Sequence, residues 1–274
     1  MCMYTAHPSD QRPFSDFQAR SSDIFVTTAP KCGTMWMLHI LHQIRSNGDG
    51  EFKSLLEHIK WFGAPLKLTV EKLFVLYEKM PDPRIFKAHR TTDLIPDIDQ
   101  VRLIMTTRDP RDACVSMYHH KCDLTKDRRV RFGISVPGSF AEHVNEWLQN
   151  GYWYTHMASW WQERNRPNLL ILRYEDLVAD LAKGVDQVSD FLGWSLDSVA
   201  RNRVIEHCQF RWMAERRERF IYPWSDGLSF KPSGFIRKGK IGDYQSLMTP
   251  EQSKRILARA RDVLPTECLS FIGI

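Results

Sequence analysis

The chain has 274 residues, 43% of them hydrophobic and 26% charged. That is enough for one sizeable core and too well balanced for global disorder. Its net charge of +5 suits a small anionic ligand but falls short of the clustered basicity that a nucleic-acid binder needs.

No segment reaches the roughly 18 apolar residues of a membrane span. The polar stretch 1–22, with Pro8 and Pro13, lacks the apolar centre of a secretory signal. A cytoplasmic protein without membrane attachment is therefore expected, with residues 23–274 as its single domain. Six cysteines, none of them in a CxxC pair, argue against both a disulfide framework and structural zinc.

Along the chain, apolar runs alternate with helical patterns. Strands are predicted at Ile24–Thr28, Arg84–Lys87, Leu103–Thr107 and Asn168–Arg173. Helices are predicted at Thr34–Arg45, Val70–Lys79, Arg111–His120, Ser139–Asn150, Tyr152–Asn165, Val178–Leu192, Asp197–His207 and Pro250–Val263. Strands interleaved with helices predict an α/β fold: one three-layer domain with a mostly parallel sheet of about five strands between helices. Ligands of such sheets bind beyond the carboxyl ends of the strands.

Three of those ends carry the chemistry. After the first strand, Pro30-Lys31-Cys32-Gly33-Thr34 leads into a helix whose first N–H groups have no internal partner, an anion site to which Lys31 adds a full charge. Cys32 is read as a small residue that fits the turn. The second strand ends in Lys87 and His89. The third is followed by Arg108, Asp109 and Arg111, with Asp109 read as a turn or helix-cap residue. Arg108 and Ser116 together make a clamp for a phosphate monoester. A basic, glycine-containing segment, Ser225–Lys240, could cover an anion or be a solvated loop.

The first loop is not a Walker A sequence, because Lys31 precedes Gly33 and Thr34 follows the glycine directly. Two lysines and a histidine at adjacent strand ends suit a group transfer that builds negative charge, with His89 as proton acceptor. A nucleotide-dependent kinase-like phosphotransferase and a catalytically silent nucleotide-binding module are the competing readings. Trp153, Trp160 and Trp161 are read as core aromatics, and the pairs His39/His42 and His119/His120 as packing residues.

Taken in order, these motifs resemble those of the cytosolic sulfotransferases. The phosphosulfate loop of that family corresponds to Ala29-Pro30-Lys31-Cys32-Gly33-Thr34-Met35-Trp36, and its lysine–histidine strand to Pro83–His89. Its 3′-phosphate segment corresponds to Arg108–His119, its aromatic stretch to Gly151–Trp161, and its Arg-Lys-Gly signature to Phe235–Tyr244. The resemblance covers roughly residues 23–250.

It implies 3′-phosphoadenosine 5′-phosphosulfate (PAPS) as donor, adenosine 3′,5′-bisphosphate (PAP) as product, and no metal. It also implies roles. Lys31, Cys32, Gly33, Thr34 and Met35 hold the phosphosulfate. Lys87 supports the sulfuryl group, His89 is the base, and Lys31 and Ser116 join the catalytic set. Arg108, Ser116, Arg237, Lys238 and Gly239 take the 3′-phosphate, flanked by Phe235 and Ile236. Trp36 and Phe210 sandwich the adenine, which Tyr174 hydrogen-bonds, and Cys208 lies beside Phe210.

Trp61, Phe62, Phe132, Tyr222 and Trp224, with Lys87 and His89, are expected to line the acceptor pocket. The expected partner is a small molecule, sulfated on a hydroxyl or alternatively on an amine or guanidine nitrogen. Ala88 and Arg90-Thr91 depart from the family pattern beside the acceptor. The dimer pattern of the family keeps only Thr249, so its dimer is not carried over.

Overall fold

A computed structural model describes residue 14 and residues 16–63, 69–221, 230 and 235–274. In chain order the elements are β1 (Ile24–Thr27), α1 (Thr34–Arg45), α2 (Leu55–His58), β2 (Lys60–Trp61), α3 (Val70–Glu78), β3 (Ile85–Ala88), β4 (Arg102–Thr107) and α4 (Pro110–Asp123). They continue with α5 (Lys126–Phe132), α6 (Phe140–Asn150), α7 (Tyr152–Gln162), β5 (Leu169–Arg173), α8 (Tyr174–Ala179), α9 (Leu181–Leu192), α10 (Ser198–His207), α11 (Phe210–Glu215), α12 (Pro250–Val263) and α13 (Thr266–Ile272).

The five strands form one sheet in the order β2-β3-β1-β4-β5, and every pairing is parallel. Every residue of β1 is buried, as expected of a central strand covered on both faces. Successive side chains point to opposite faces. Ile24 and Val26 join α1, α9 and α10 in one core built from Met37, Leu41, Ile44, Val185, Val188 and Val204. Phe25 joins the other, with Val115, Val144, Trp153, Trp160 and Ile256 from α4, α6, α7 and α12. Trp153, Trp160 and Trp161 are buried in that second core. The segment before residue 23 contributes to it too, through Phe14 and Phe17.

The chain leaves β1 toward β3 on one side and returns to β4 on the other. The loops after β1 and β4 therefore part at the carboxyl edge and open a crevice at a topological switch point.

Sequence and structure differ in a few places. The expected helix Val178–Leu192 begins at Leu181, because the Asp180 side chain caps it by accepting from the Lys183 N–H at 2.9 Å. A separate short helix, α8, precedes it. The fifth strand, β2, is only two residues long and is held by pairing with β3.

Candidate active site

The loop after β1 is shaped by two left-handed residues, Lys31 at φ 72° and Gly33 at φ 93°. A Cβ at Gly33 would stand 2.9 Å from the Tyr174 ring, so both backbone conformation and space call for glycine. The Thr106 hydroxyl donates to the Cys32 carbonyl at 2.6 Å and pins the loop to β4. Thr28 and Thr34 hydroxyls hydrogen-bond across its base. Helix α1 has Gly33 as its N-cap, so it has no side-chain cap, and no acidic residue stands in its first turn. Its N-terminal N–H groups and the positive end of its dipole therefore face the crevice uncompensated.

The crevice is a cavity of about 380 Å³. It gathers Lys31, Gly33, Thr34, Met35, Trp36, Lys87, His89, Arg108, Ser116, Tyr174, Phe210, Phe235, Ile236, Arg237, Lys238 and Gly239, from strand ends, the helices that follow them and the basic segment, far apart in sequence. This is the convergence expected of a parallel sheet edge.

Burial pushes Lys87 down to about 7, and repulsion from Lys31 adds to it. Burial likewise pushes Lys31 down to about 8, helped by Arg108 and Arg237. The Lys87 ammonium also sits 3.8 Å from the centroid of the Trp61 ring.

His89 is fixed by its neighbours. Its Nδ1 lies 2.7 Å from the Thr28 carbonyl, which can only accept, so Nδ1 carries the proton and Nε2 is the lone-pair nitrogen of the neutral ring. The Tyr152 hydroxyl donates to the His89 carbonyl at 2.6 Å, and Trp61 meets the imidazole edge-on at 5.7 Å. Burial, then the Lys87 charge, holds His89 well below the ordinary histidine range.

On the other wall, Arg108 lies 4.4 Å over the Tyr174 ring and donates to the Lys240 carbonyl at 2.7 Å. Its Nε is buried with no hydrogen-bond partner, a donor left unmet. Asp109 caps α4 by accepting from the Arg111 N–H at 2.8 Å, as read from sequence. Asp112 accepts from the Gly242 and Tyr244 N–H groups at 2.8 and 3.0 Å, which ties the basic segment to α4. There Asp243 pairs with both Arg237 and Lys238. A Cβ at Gly239 would lie 2.4 Å from the Phe210 ring, so glycine lets that segment close against Phe210.

Trp36 donates from Nε1 to the Cys208 carbonyl at 2.8 Å and meets Tyr174 edge-on at 5.4 Å. With Phe210, Leu177, Val178, Leu181 and Met213 it makes the apolar end of the cavity.

Some expected residues stand elsewhere. Phe62 is 1% exposed and packs among Phe14, Phe17, Phe25, Tyr77 and Phe86. It is a core ring and not a pocket wall, because strand pairing at Trp61 turns the next side chain inward. The thiols of Cys32 and Cys208 are fully buried. Burial pushes Cys32 up to about 12, and Cys208 accepts from Trp36 through its carbonyl. Tyr222 and Trp224 lie outside the described residues, as does the side chain of Phe132. Arg90 is buried, with its guanidinium 4.7 Å over the Phe14 ring.

His120, a packing residue by sequence, lines the cavity, with Nδ1 3.3 Å from the Lys31 ammonium. The signal was available: His120 follows Ser116 by four residues on one helix, which places both on the same face. Among the described residues no cluster of His, Cys, Asp or Glu could hold a metal ion. Nor is any helix there long and apolar enough to cross a membrane.

Comparison with known proteins identifies a family. The family model of the sulfotransferase domain matches residues 21–264. Mouse sulfotransferase 1B1 is 30% identical over 268 residues, covering 93% of this chain and 87% of its own length. Human sulfotransferase 1E1 is 31% identical over 245 residues, covering 85% and 80%. Among solved structures, mouse sulfotransferase SULT7A1 complexed with PAP superposes with a TM-score of 0.76 at 20% identity, covering 99% of this chain and 96% of that one. That likeness concerns the fold.

Proposed function

The chain belongs to the sulfotransferase family, and from that footing we propose that it moves a sulfuryl group from PAPS to a hydroxyl of a small-molecule acceptor. The observation that carries this reading is His89. It lines the cavity that also holds Lys31 and Lys87, with Nδ1 held at the Thr28 carbonyl so that the neutral ring is basic at Nε2.

The residues present fit the donor. An uncapped helix N-terminus, Lys31 and Lys87 suit the phosphosulfate. Arg108 with its unmet Nε, together with Ser116, Arg237 and Lys238, suits the 3′-phosphate. The apolar end between Trp36 and Phe210 suits a purine. When bound, the donor supplies an activated sulfuryl group and a phosphate leaving group.

The residues of this chain do the rest. The α1 N–H groups and Lys31 stabilise charge on the departing oxygen, and Lys87 steadies the sulfuryl oxygens. His89 accepts the acceptor's proton at Nε2 while the Thr28 carbonyl holds Nδ1–H, so the ring cannot rotate away. Attack comes in line, opposite the phosphate. An amine or guanidine nitrogen could replace the hydroxyl without changing these roles.

A ligand panel tests the donor class. PAP at a hundred times its Kd should stabilise the protein by about 2.7 kcal/mol, with or without magnesium. Stabilisation by ATP with magnesium alone would sink the reading.

A further inference from the structure

A second cavity, of about 430 Å³, shares Pro30 with the first and is walled by α4, α6 and α7. It touches the reaction centre through Tyr152, which lines it and donates to the His89 carbonyl. Its lining is polar in an unusual way. His143 on α6 is 1% exposed. Its Nε2 lies 3.0 Å from the Cys114 carbonyl, so Nε2 carries the proton and Nδ1 is left as a lone-pair nitrogen. That Nδ1 is buried and has no hydrogen-bond partner. Three residues on, the Glu146 carboxylate stands 3.9 Å from Nδ1 and 2.8 Å from the Lys121 ammonium.

A buried polar group left without a partner is costly. What completes His143 must donate, while Trp147 Nε1, also buried and unpartnered in this lining, calls for an acceptor; a hydroxyl can do both. Two acceptors, Nδ1 and Glu146, are available within one small ligand's reach. Lys121 already neutralises Glu146, so the pair holds no net charge for a cationic amine, and Lys31 and Lys87 beyond Pro30 oppose one. Two hydroxyls on neighbouring carbons, each donating over about 2.8 Å, can bridge a gap of 3.9 Å. The faces of Tyr152 and Trp153 offer apolar cover for the carbon skeleton.

We propose that this cavity recognises a neutral vicinal-diol portion of the acceptor, with His143 and Glu146 accepting from its hydroxyls and Lys121 donating to one of them. The acceptor is then a polyhydroxylated small molecule and not a plain phenol or alcohol. This inference rests on the sulfotransferase reading, which makes the neighbouring cavity the donor site.

The test uses the whole chain loaded with PAP and measures binding by titration calorimetry. The probes are 4-propylphenol and 3-(4-hydroxyphenyl)propane-1,2-diol, which share one phenol and differ in the tail. The diol should bind about tenfold tighter, the equivalent of about 1.4 kcal/mol. Glu146→Gln, at a half-exposed position, and His143→Phe, which keeps a ring in the core, should each erase that preference. Both should leave the phenol's affinity within about twofold and the thermal shift with PAP unchanged. Equal affinities in the wild type, binding of neither probe, or variants that weaken both probes alike would overturn the proposal. Absence of any PAP shift in the wild type would instead refute the donor reading beneath it.

Discussion

Binding of PAP should draw protons from solution. Without ligand, Lys87 titrates at about 7 and Lys31 at about 8, against an ordinary lysine value near 10.4. At pH 8, Lys87 is therefore about nine-tenths neutral and Lys31 about half neutral. A bound anion that returns both to their ordinary range takes up about 1.4 protons at pH 8 and about 0.6 at pH 7. The sign follows from linkage: the bound state holds more protons, so affinity falls as pH rises. The fall amounts to about two to three decades between pH 7 and pH 9. Titration calorimetry in two buffers of different ionisation enthalpy reads the uptake directly, and at pH 8 the phosphate groups of the ligand are already ionised. Lys87→Met should reduce the uptake to about 0.5 proton. No uptake at pH 8, or affinity that rises with pH, would refute the claim that the site holds its lysines partly neutral to receive an anion.

Gly33→Ala should weaken PAP binding by about tenfold or more while the protein still folds, since the Cβ must displace the Tyr174 ring and hold φ 93°; a thermal shift equal to the wild type's would contradict this. Stability should fall as pH drops from about 6.5 toward 4. Burial pushes His39 and His156 down to about 3 and His42 and His143 to about 4, so the unfolded chain binds the protons first. Each unit of depression is worth about 1.4 kcal/mol, and urea unfolding at pH 7, 6 and 5 should show the loss. A stability flat across that range would show that these histidines are not held neutral.

The sequence was most legible where a local rule met a long period. Helix α12 begins where Thr249-Pro250 and Gln252 announce it, and the structure closes that capping box. Thr249, the one survivor of the family's dimer pattern, is thus explained as an N-cap. The strand-end cations were legible because a parallel sheet carries its ligand sites to one edge, whatever the sequence separation.

What escaped depends on long-range packing. Helices α2, α5, α11 and α13 have four to seven residues, too few for a period to declare itself. Phe62 looked like a pocket wall because an aromatic in a loop carries no mark of which way it turns. Only the ring cluster around Phe17, Phe25 and Phe86 decides that. Asp112, four residues after Arg108, was missed for a similar reason, since its partners at Gly242 and Tyr244 lie on the far side of the chain.

The most direct test is transfer from sulfur-labelled PAPS to a panel of hydroxylated acceptors, run with wild type and His89→Ala side by side and with PAP binding measured on both. Wild type should transfer label, and His89→Ala should bind PAP as tightly yet transfer about 10² to 10⁴ times more slowly. Equal transfer by the two proteins would remove His89 from the chemistry and contradict the account.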